Sequence, residues 1–207
     1  MIYLVRHGQT DWNIAKKTQG HTDIPLNDFG KKEAERVSEI FSSIPISKII
    51  SSDLIRAKET AEIINVRTKC PLIVDKRLRE INYGILEGVE RNKLPSNIWD
   101  IFNNEPNKLN AEPMIRVYSR IKSFFDELEE QKNILIVTHG GALRMIMHYA
   151  ECRDVFVRER YDLLFKNAII KNASVFQWEK SQNAVTALPF QQKTEILENV
   201  RNLSNER

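Results

Sequence analysis

Short runs of consecutive apolar residues alternate along the chain with longer stretches in which apolar residues recur every three or four positions. The runs have the length of buried β-strands, and the longer stretches have the period of amphipathic α-helices. The predicted strands span residues 1–5, 48–50, 72–74, 134–137 and 168–178, and the predicted helices span residues 29–44, 54–64, 114–128 and 142–149. Strands that alternate with helices predict an α/β fold: a three-layer sandwich with a mostly parallel central sheet and helices on both faces.

One domain is expected over residues 1–178, with two segments that depart from its pattern. Residues 79–112 are irregular and interrupted by prolines, and we interpret them as a cap region. Residues 179–207 are polar and predict a helical tail that docks on the core or on a partner. The apolar positions with helical spacing in that tail are Ile196, Leu197 and Val200.

Composition and charge narrow the class of protein. With 207 residues, of which 42% are hydrophobic and 29% are charged, the chain suits one soluble globular domain. A net charge of +3 gives no case for a nucleic-acid partner, and no apolar stretch is long enough to span a bilayer. The start lacks a signal-peptide pattern, and Cys70 and Cys152 have no metal-ligand spacing. We expect a cytoplasmic protein without membrane contact. Whether it forms a homodimer is not decided by the sequence.

Two predicted strands each lead into a histidine followed by glycine. The first ends in Arg6, His7 and Gly8, and the run 134–137 ends in Thr138, His139 and two glycines. Ligands of open α/β sheets bind beyond the carboxyl ends of the strands. With Arg6 and Arg56 nearby, the two imidazoles would form a cationic pocket for an anion.

Five motifs follow one another along the chain. They are LVRHGQTDWN at 4–13, QGHTDIPL at 19–26, SSDLIRAKETA at 51–61, LREINYG with LEG at 78–88, and THGG at 138–141. Each alone is a weak signal, but all five in this order resemble the histidine phosphatase superfamily, which includes the cofactor-dependent phosphoglycerate mutases. The resemblance runs from Met1 to about Trp178 and implies a phosphoglycerate mutase-like fold.

The resemblance implies a role for each basic residue of the pocket. His7 would attack the phosphorus and become phosphohistidine, which suits a neutral imidazole near pH 7. Arg6 and Arg56 would bind phosphate oxygens with their planar guanidinium groups, and His139 would donate to the transferred phosphoryl group. Each residue taken singly also has a purely structural interpretation. His7 could be a hydrogen-bonded histidine at a strand end, Arg56 a solvated helix residue and His139 a turn residue.

Further residues resemble the family's binding and acid positions. Asn13, Gln19 and Gly20 match the phosphate-contacting loop, where Asn13 and Gln19 would donate amide hydrogens and Gly20 its backbone N–H. Tyr83 lies on the expected substrate side.

Glu80 is the expected general acid and base, which would protonate the leaving oxygen and later activate water. Its rival for that role is Glu87, and its structural alternative is an ion pair with Arg77 or Arg79.

The expected activity is that of a metal-independent phosphomonoesterase without a cofactor, acting on a small phosphorylated metabolite. Examples are α-ribazole phosphate, phosphoserine and a sugar or glycerate phosphate. Mutases of the family carry paired arginines in a longer insertion, whereas residues 92–112 hold only Lys93 and Lys108 as cations, with Arg91 just before them. The turn at 111–113 reads Ala-Glu-Pro where many relatives have Gly-Glu-Ser. The alternatives are a phosphoglycerate mutase and, from another class, an inactive binding module.

Overall fold

The computed structural model describes residues 1–129, 133–168, 170–179 and 185–188. Its strands are β1 (Ile2–Arg6), β2 (Lys48–Ser51), β3 (Leu72–Val74), β4 (Ile134–Thr138), β5 (Val175–Trp178) and β6 (Val185–Ala187). Its helices are α1 (Asp11–Ile14), α2 (Asp28–Ile40), α3 (Ile55–Thr68), α4 (Ile98–Asn104), α5 (Met114–Asp126), α6 (Gly140–Glu151) and α7 (Arg158–Asn167). Short 3₁₀ turns lie at Lys76–Leu78, Gly84–Leu86, Arg91–Lys93 and Pro106–Leu109.

The strands form one sheet in the order β3-β2-β4-β1-β5-β6. The first four run parallel, and β5 and β6 are antiparallel to their neighbours. The register pairs Arg6 with Thr138 and Ser51 with Val137, so that β1, β4 and β2 end side by side. The residues that follow these three strands therefore meet at one edge of the sheet.

Helices cover both faces of the sheet. Along β1, Ile2 and Leu4 belong to the apolar core that contains residues of α5 and α6, whereas Tyr3 and Val5 belong to the core that contains residues of α2 and α3. This alternation is the period of two that a strand buried on both faces must show. The predicted three-layer α/β sandwich is confirmed.

Several elements differ from the sequence-based expectations, among them the short helix α1, which was not expected. Helix α7 was not expected, because Tyr161 alone of its described residues is buried and its apolar periodicity is weak. The segment 168–178, expected as one strand, forms β5 only from Val175 onward. Strand β6 extends the sheet within the segment 179–207 that the sequence assigned to a helical tail, and the pattern at Ile196, Leu197 and Val200 lies outside the described residues.

The expected cap region contains α4 and three of the 3₁₀ turns. Ile98 and Phe102 of α4 are buried, and the Trp99 ring lies edge-on to Tyr83 at a centroid distance of 6.2 Å. These contacts fix the cap above the loop that carries Glu80. Within the described ranges no helix is both long and apolar enough to cross a membrane.

Candidate active site

The two histidines that follow β1 and β4 lie side by side. Their ring centroids are 5.2 Å apart, and their exposed fractions are 3% for His7 and 0% for His139. The parallel register of the two strands produces this arrangement, because Arg6 and Thr138 are direct neighbours. The pair expected from the sequence is thus brought together in a site shielded from bulk water.

The hydrogen bonds of His7 fix which of its ring nitrogens carries the proton. Nδ1 lies 2.7 Å from the carbonyl oxygen of Gly8, which can only accept, so Nδ1 holds the hydrogen and Nε2 holds a lone pair. Gly8 itself must be glycine, because a Cβ there would lie 2.4 Å from the carbonyl oxygen of Gly30. His7 therefore presents a basic nitrogen to the pocket.

His139 has the opposite polarity. Arg56 Nε donates to His139 Nδ1 at 3.2 Å, and because a guanidinium nitrogen only donates, the proton of His139 lies on Nε2. That Nε2 is buried and has no hydrogen-bond partner in the part of the chain that the structure describes. An unmade buried hydrogen bond is costly, so this N–H is suited to donate to a bound ligand.

Two guanidinium groups flank the histidines, that of Arg6 partly buried and that of Arg56 fully buried. Arg6 donates from Nη1 to the carbonyl oxygen of Ile170 at 2.6 Å, while its Nε is buried without a partner among the described residues. Arg56 is fully buried and donates to the carbonyl oxygens of Thr22 and Gly20 at 3.0 and 2.7 Å. Burial lowers the pKa of both arginines to about 10, so they stay charged at pH 7.

The positive charge of the pocket has no ion-pair partner among the residues that the structure describes. Within these ranges, the ion pairs of the molecule involve neither Arg6 nor Arg56. Burial, and then the charges of Arg56 and Arg6, hold the pKa of His7 well below 6.5, and burial and Arg56 do the same for His139. Two cations, of which Arg56 is fully buried, beside two neutral imidazoles favour a bound anion, because an uncompensated buried charge is destabilising.

The Glu80 carboxylate lies at the amino end of α6. Its Oε2 accepts from the backbone N–H of Gly141, and its Oε1 accepts from those of Ala142 and Ile81, each at 3.0 Å. Among charged groups, Glu80 has the largest effect on the pKa of both Arg6 and Arg56. Its carboxylate thus lies beside the cationic pocket, and it forms no ion pair with the described residues there.

The structural alternative for Glu80 is wrong. Arg77 pairs with Asp75 and Glu127, each at 2.7 Å, and Arg79 pairs with Asp53 at 2.6 Å. Both neighbouring arginines therefore pair with other carboxylates, and the Glu80 side chain contacts the amino end of α6 beside the pocket.

Glu87, the rival acid, organises a loop. Its Oε1 accepts from the N–H groups of His21 and Tyr83 at 2.9 and 3.0 Å, and its Oε2 accepts from the N–H and hydroxyl of Thr22 at 2.8 and 2.6 Å. Gly20 has φ +56°, and a Cβ there would lie 2.0 Å from Glu87 Oε1. These four hydrogen bonds hold the loop whose carbonyl oxygens anchor Arg56.

The expected phosphate-binding residues lie around the same pocket in different settings. The Asn13 side-chain oxygen accepts from Thr10 and from Asn172 Nδ2. Its amide N–H₂ group therefore points away from these two residues. Gln19 is buried, with Oε1 unpartnered among the described residues. Gly20 contributes its carbonyl oxygen to Arg56, whereas a donated N–H was expected. Tyr83 is buried in the cap, and burial raises the pKa of its phenol well above 10.

The turn at 111–113 supports the acid loop. Glu112 pairs with Arg120 at 2.9 Å and accepts from the N–H of Asn82 at 3.3 Å. Arg120 in turn donates to the carbonyl oxygens of Arg77, Arg79 and Glu80. Glu112 therefore helps to hold the backbone that presents Glu80. The sequence Ala-Glu-Pro, compared with Gly-Glu-Ser, did not predict this role.

Asn172 was not expected at the site. Its Nδ2 donates to the carbonyl oxygens of His7 and Gly8 at 3.2 Å each and to Asn13 Oδ1 at 3.1 Å. Asn172 thus orients the carbonyl that fixes the His7 proton.

Asp23, also not expected, accepts from the N–H of Ile55 at 2.6 Å at the start of α3, next to Arg56. Neither Asn172 nor Asp23 lies in a hydrophobic pattern that could have marked it.

Among the described residues, no three His, Cys, Asp or Glu side chains lie together in a way that could hold a metal ion. The guanidinium groups of Arg6 and Arg56 and the Nε2–H of His139 converge at the site, with the Glu80 carboxylate beside them. This donor set is suited to a tetrahedral oxyanion such as a phosphoryl group.

Known proteins resemble this chain in both sequence and fold. The chain is 37% identical over 155 residues to a Proteus mirabilis protein named probable phosphoglycerate mutase GpmB, across 70% of this chain and 72% of that protein. It is 36% identical over 153 residues to the uncharacterized phosphatase PhoE of Bacillus subtilis, across 70% and 75% of the two chains. A phosphoglycerate mutase structure from Thermus thermophilus has a TM-score of 0.67 at 25% identity, covering 90% of this chain and 97% of the other.

The resemblance carried by the five sequence motifs is confirmed at the level of the whole family. A sequence profile of the histidine phosphatase superfamily (branch 1) matches residues 2–188. This range contains both histidines, both arginines of the pocket and the Glu80 loop. The chain belongs to the histidine phosphatase superfamily.

Proposed function

We propose that this protein is a phosphomonoesterase that hydrolyses a small phosphorylated metabolite through a phosphohistidine, without a metal ion. The observation that supports this most is the pair of charged guanidinium groups, Arg6 partly and Arg56 fully buried, beside two neutral imidazoles and without an ion-pair partner within the described residues. A phosphate monoester dianion would compensate these charges. It would also bring its phosphorus next to the lone pair of His7 Nε2.

In the first step His7 Nε2 attacks the phosphorus, and the bond from phosphorus to the alcohol oxygen breaks. Arg6, Arg56 and the Nε2–H of His139 bind the phosphoryl oxygens as charge builds on them. The Gly8 carbonyl accepts from Nδ1 and stabilises the positive ring that forms when Nε2 is phosphorylated. Asn13 and Gln19 add side-chain amide groups at the edge of this pocket.

Glu80 is the proposed proton donor to the leaving oxygen. Its Oε1 already accepts two N–H groups, whereas Oε2 accepts one, so Oε2 retains a lone pair that can hold the transferred proton. In the second step the Glu80 carboxylate takes a proton from water, the hydroxide attacks phosphorus, and the bond between phosphorus and His7 breaks. Phosphate and free enzyme are released.

Water is the proposed acceptor of the phosphoryl group. The cap lysines are committed at the surface, because Lys93 pairs with Glu90 at 2.9 Å and Lys108 pairs with Glu105. They do not supply a site for a second phosphate. One observation favours the mutase alternative: the exposed Arg91 is close enough to the pocket that its charge lowers the pKa of Arg6 and Tyr83. Relatives bear both mutase and phosphatase names.

A single assay separates the two activities. With 3-phosphoglycerate and 2,3-bisphosphoglycerate in buffer that contains excess EDTA, we expect inorganic phosphate to accumulate and isomerisation to be slower than phosphate release. Enzyme-coupled detection of 2-phosphoglycerate and a phosphate assay on the same samples give both rates. Rapid interconversion of the phosphoglycerates without phosphate release would establish the mutase, and loss of all activity in EDTA that Mg²⁺ restores would contradict the metal-free mechanism.

A further inference from the structure

A cavity of about 50 Å³ lies between the cap and α7. Its walls are mainly apolar and aromatic, and they include Ile81, Tyr83, Trp99, Phe102 and Phe165. A water needs roughly 10–15 Å³ of such space, so the cavity has room for a group of a few heavy atoms. Apolar walls favour a ligand group that gains free energy by leaving water.

The cavity adjoins the proposed acid. Two of its wall residues, Ile81 and Tyr83, follow Glu80 closely in the chain, and the N–H of Ile81 donates to the Glu80 carboxylate. Among charged groups, Glu80 also has the largest effect on the pKa of the Tyr83 and Tyr161 phenols, and both of these residues line the cavity. A phosphate ester whose leaving oxygen reaches Glu80 would therefore direct its alcohol portion toward this space.

The Tyr161 hydroxyl is a buried polar group in the lining of the cavity. The residue is 4% exposed, and its hydroxyl has no hydrogen-bond partner among the described residues. The ring packs against Phe156 at a centroid distance of 6.2 Å and against His148 at 6.3 Å, so the side chain is held in place. A buried hydroxyl without a partner is destabilising, and a ligand group that bonds to it would remove that cost.

Two charged residues beside the cavity already have partners. Asp162 pairs with Arg158 at 3.0 Å. Arg144 stacks over the Phe165 ring at 5.2 Å and donates to the carbonyl oxygens of Gly140 and Ala168. A carboxylate on the alcohol portion would lose its hydration among these apolar walls, and no cation is among the described residues that line the cavity.

We propose that the cavity between α4 and α7 selects phosphate esters of a neutral alcohol with a compact apolar portion and one hydrogen-bonding group that reaches Tyr161. This inference rests on the proposed phosphatase function and names the class of its substrate. Such an alcohol differs from glycerate, which carries a carboxylate next to the ester.

The test compares esters whose leaving oxygens have similar chemistry. Ethyl phosphate, n-butyl phosphate and 3-phosphonooxypropanoate probe size and charge, and 3-hydroxypropyl, 4-hydroxybutyl and 5-hydroxypentyl phosphates probe the Tyr161 hydroxyl. From about 0.8 kcal/mol per buried methylene, kcat/KM for the butyl ester should exceed that for the ethyl ester about tenfold. The carboxylate ester should be worse than the butyl ester, and at least one hydroxyalkyl ester should be better.

Two variants assign these preferences to the cavity. In Phe165→Ala the ratio of kcat/KM for butyl to ethyl phosphate should fall at least threefold, because one wall is removed. Leu163→Ala is the matched control, since Leu163 is on the same helix, is 50% exposed against 45% for Phe165, and does not line the cavity. Its ratio should equal that of the wild type. In Tyr161→Phe the preference for the favoured hydroxyalkyl ester over the butyl ester should disappear.

Equal kcat/KM for ethyl and butyl phosphate, a preference for the carboxylate ester, or a selectivity that Phe165→Ala and Tyr161→Phe leave unchanged would overturn the inference while the phosphatase function stands. Failure to release phosphate from every ester, with p-nitrophenyl phosphate included, would overturn the proposed function and this inference with it. Thermal melting of each variant distinguishes loss of fold from loss of selectivity.

Discussion

Replacing His7 with alanine is expected to lower the rate of phosphate release by at least about 10⁴-fold, because the residue supplies the bond that holds the phosphoryl group between the two steps. The rest of the pocket remains in this variant, including Arg6, Arg56 and the Nε2–H of His139, so it should still bind a phosphate ester. Steady-state phosphate release with an alkyl phosphate measures the loss. Isothermal titration with the same ester measures the binding that survives.

His21→Ala is the control for this experiment. His21 also lies at the pocket, but its Nε2 contacts the backbone oxygen of Glu80 at 2.9 Å and its ring has no proposed part in the chemistry. Activity within about tenfold of the wild type is expected there. Near-normal turnover by His7→Ala would contradict covalent catalysis at this residue.

Replacing Glu80 with glutamine is expected to slow turnover of alkyl phosphates by roughly 10²–10⁴-fold, because the side chain keeps its shape but has no proton to give to a poor leaving group. The loss should be smaller for p-nitrophenyl phosphate, whose phenolate leaves with little help, provided that formation of phosphohistidine limits the rate. A burst measurement must establish that condition first. If hydrolysis of the intermediate limits the rate, both substrates should slow equally.

Glu87→Gln is the matched control, because Glu87, like Glu80, accepts backbone N–H groups on both carboxylate oxygens. The glutamine amide should disturb its loop in a similar way, and any loss should be the same for both substrates. A leaving-group dependence that appears in Glu87→Gln and is missing in Glu80→Gln would show that the acid was misassigned.

The sheet and its layers could be predicted because their signal is local and repeated. The apolar runs that form β1 and β4 are buried on both faces, and such runs are hard to mistake when helical periods separate them. Helix α7 and strand β6 gave no comparable signal. Helix α7 buries one residue, and β6 is a three-residue edge strand with exposed positions. Both are held by tertiary contacts that a single sequence does not display.

The candidate site divides in the same way. His7, His139, Arg6 and Arg56 follow strand ends or open a helix, so topology alone brings them together. The supporting contacts could not be predicted, because they join distant segments through single hydrogen bonds. Asn172 reaches His7 across 165 positions, and Glu87 reaches the loop at Thr22 across 65. Residue type did not distinguish the carboxylate that faces the pocket from the one that holds a loop.

The most direct test of the covalent mechanism is to trap the intermediate. Enzyme mixed with a ³²P-labelled phosphate ester and quenched in base within the first turnover should carry up to one label per chain. That label should be stable in base, labile in acid and located by mass spectrometry on His7. Turnover at the normal rate with no label trapped under base, or a label on another residue, would contradict the account.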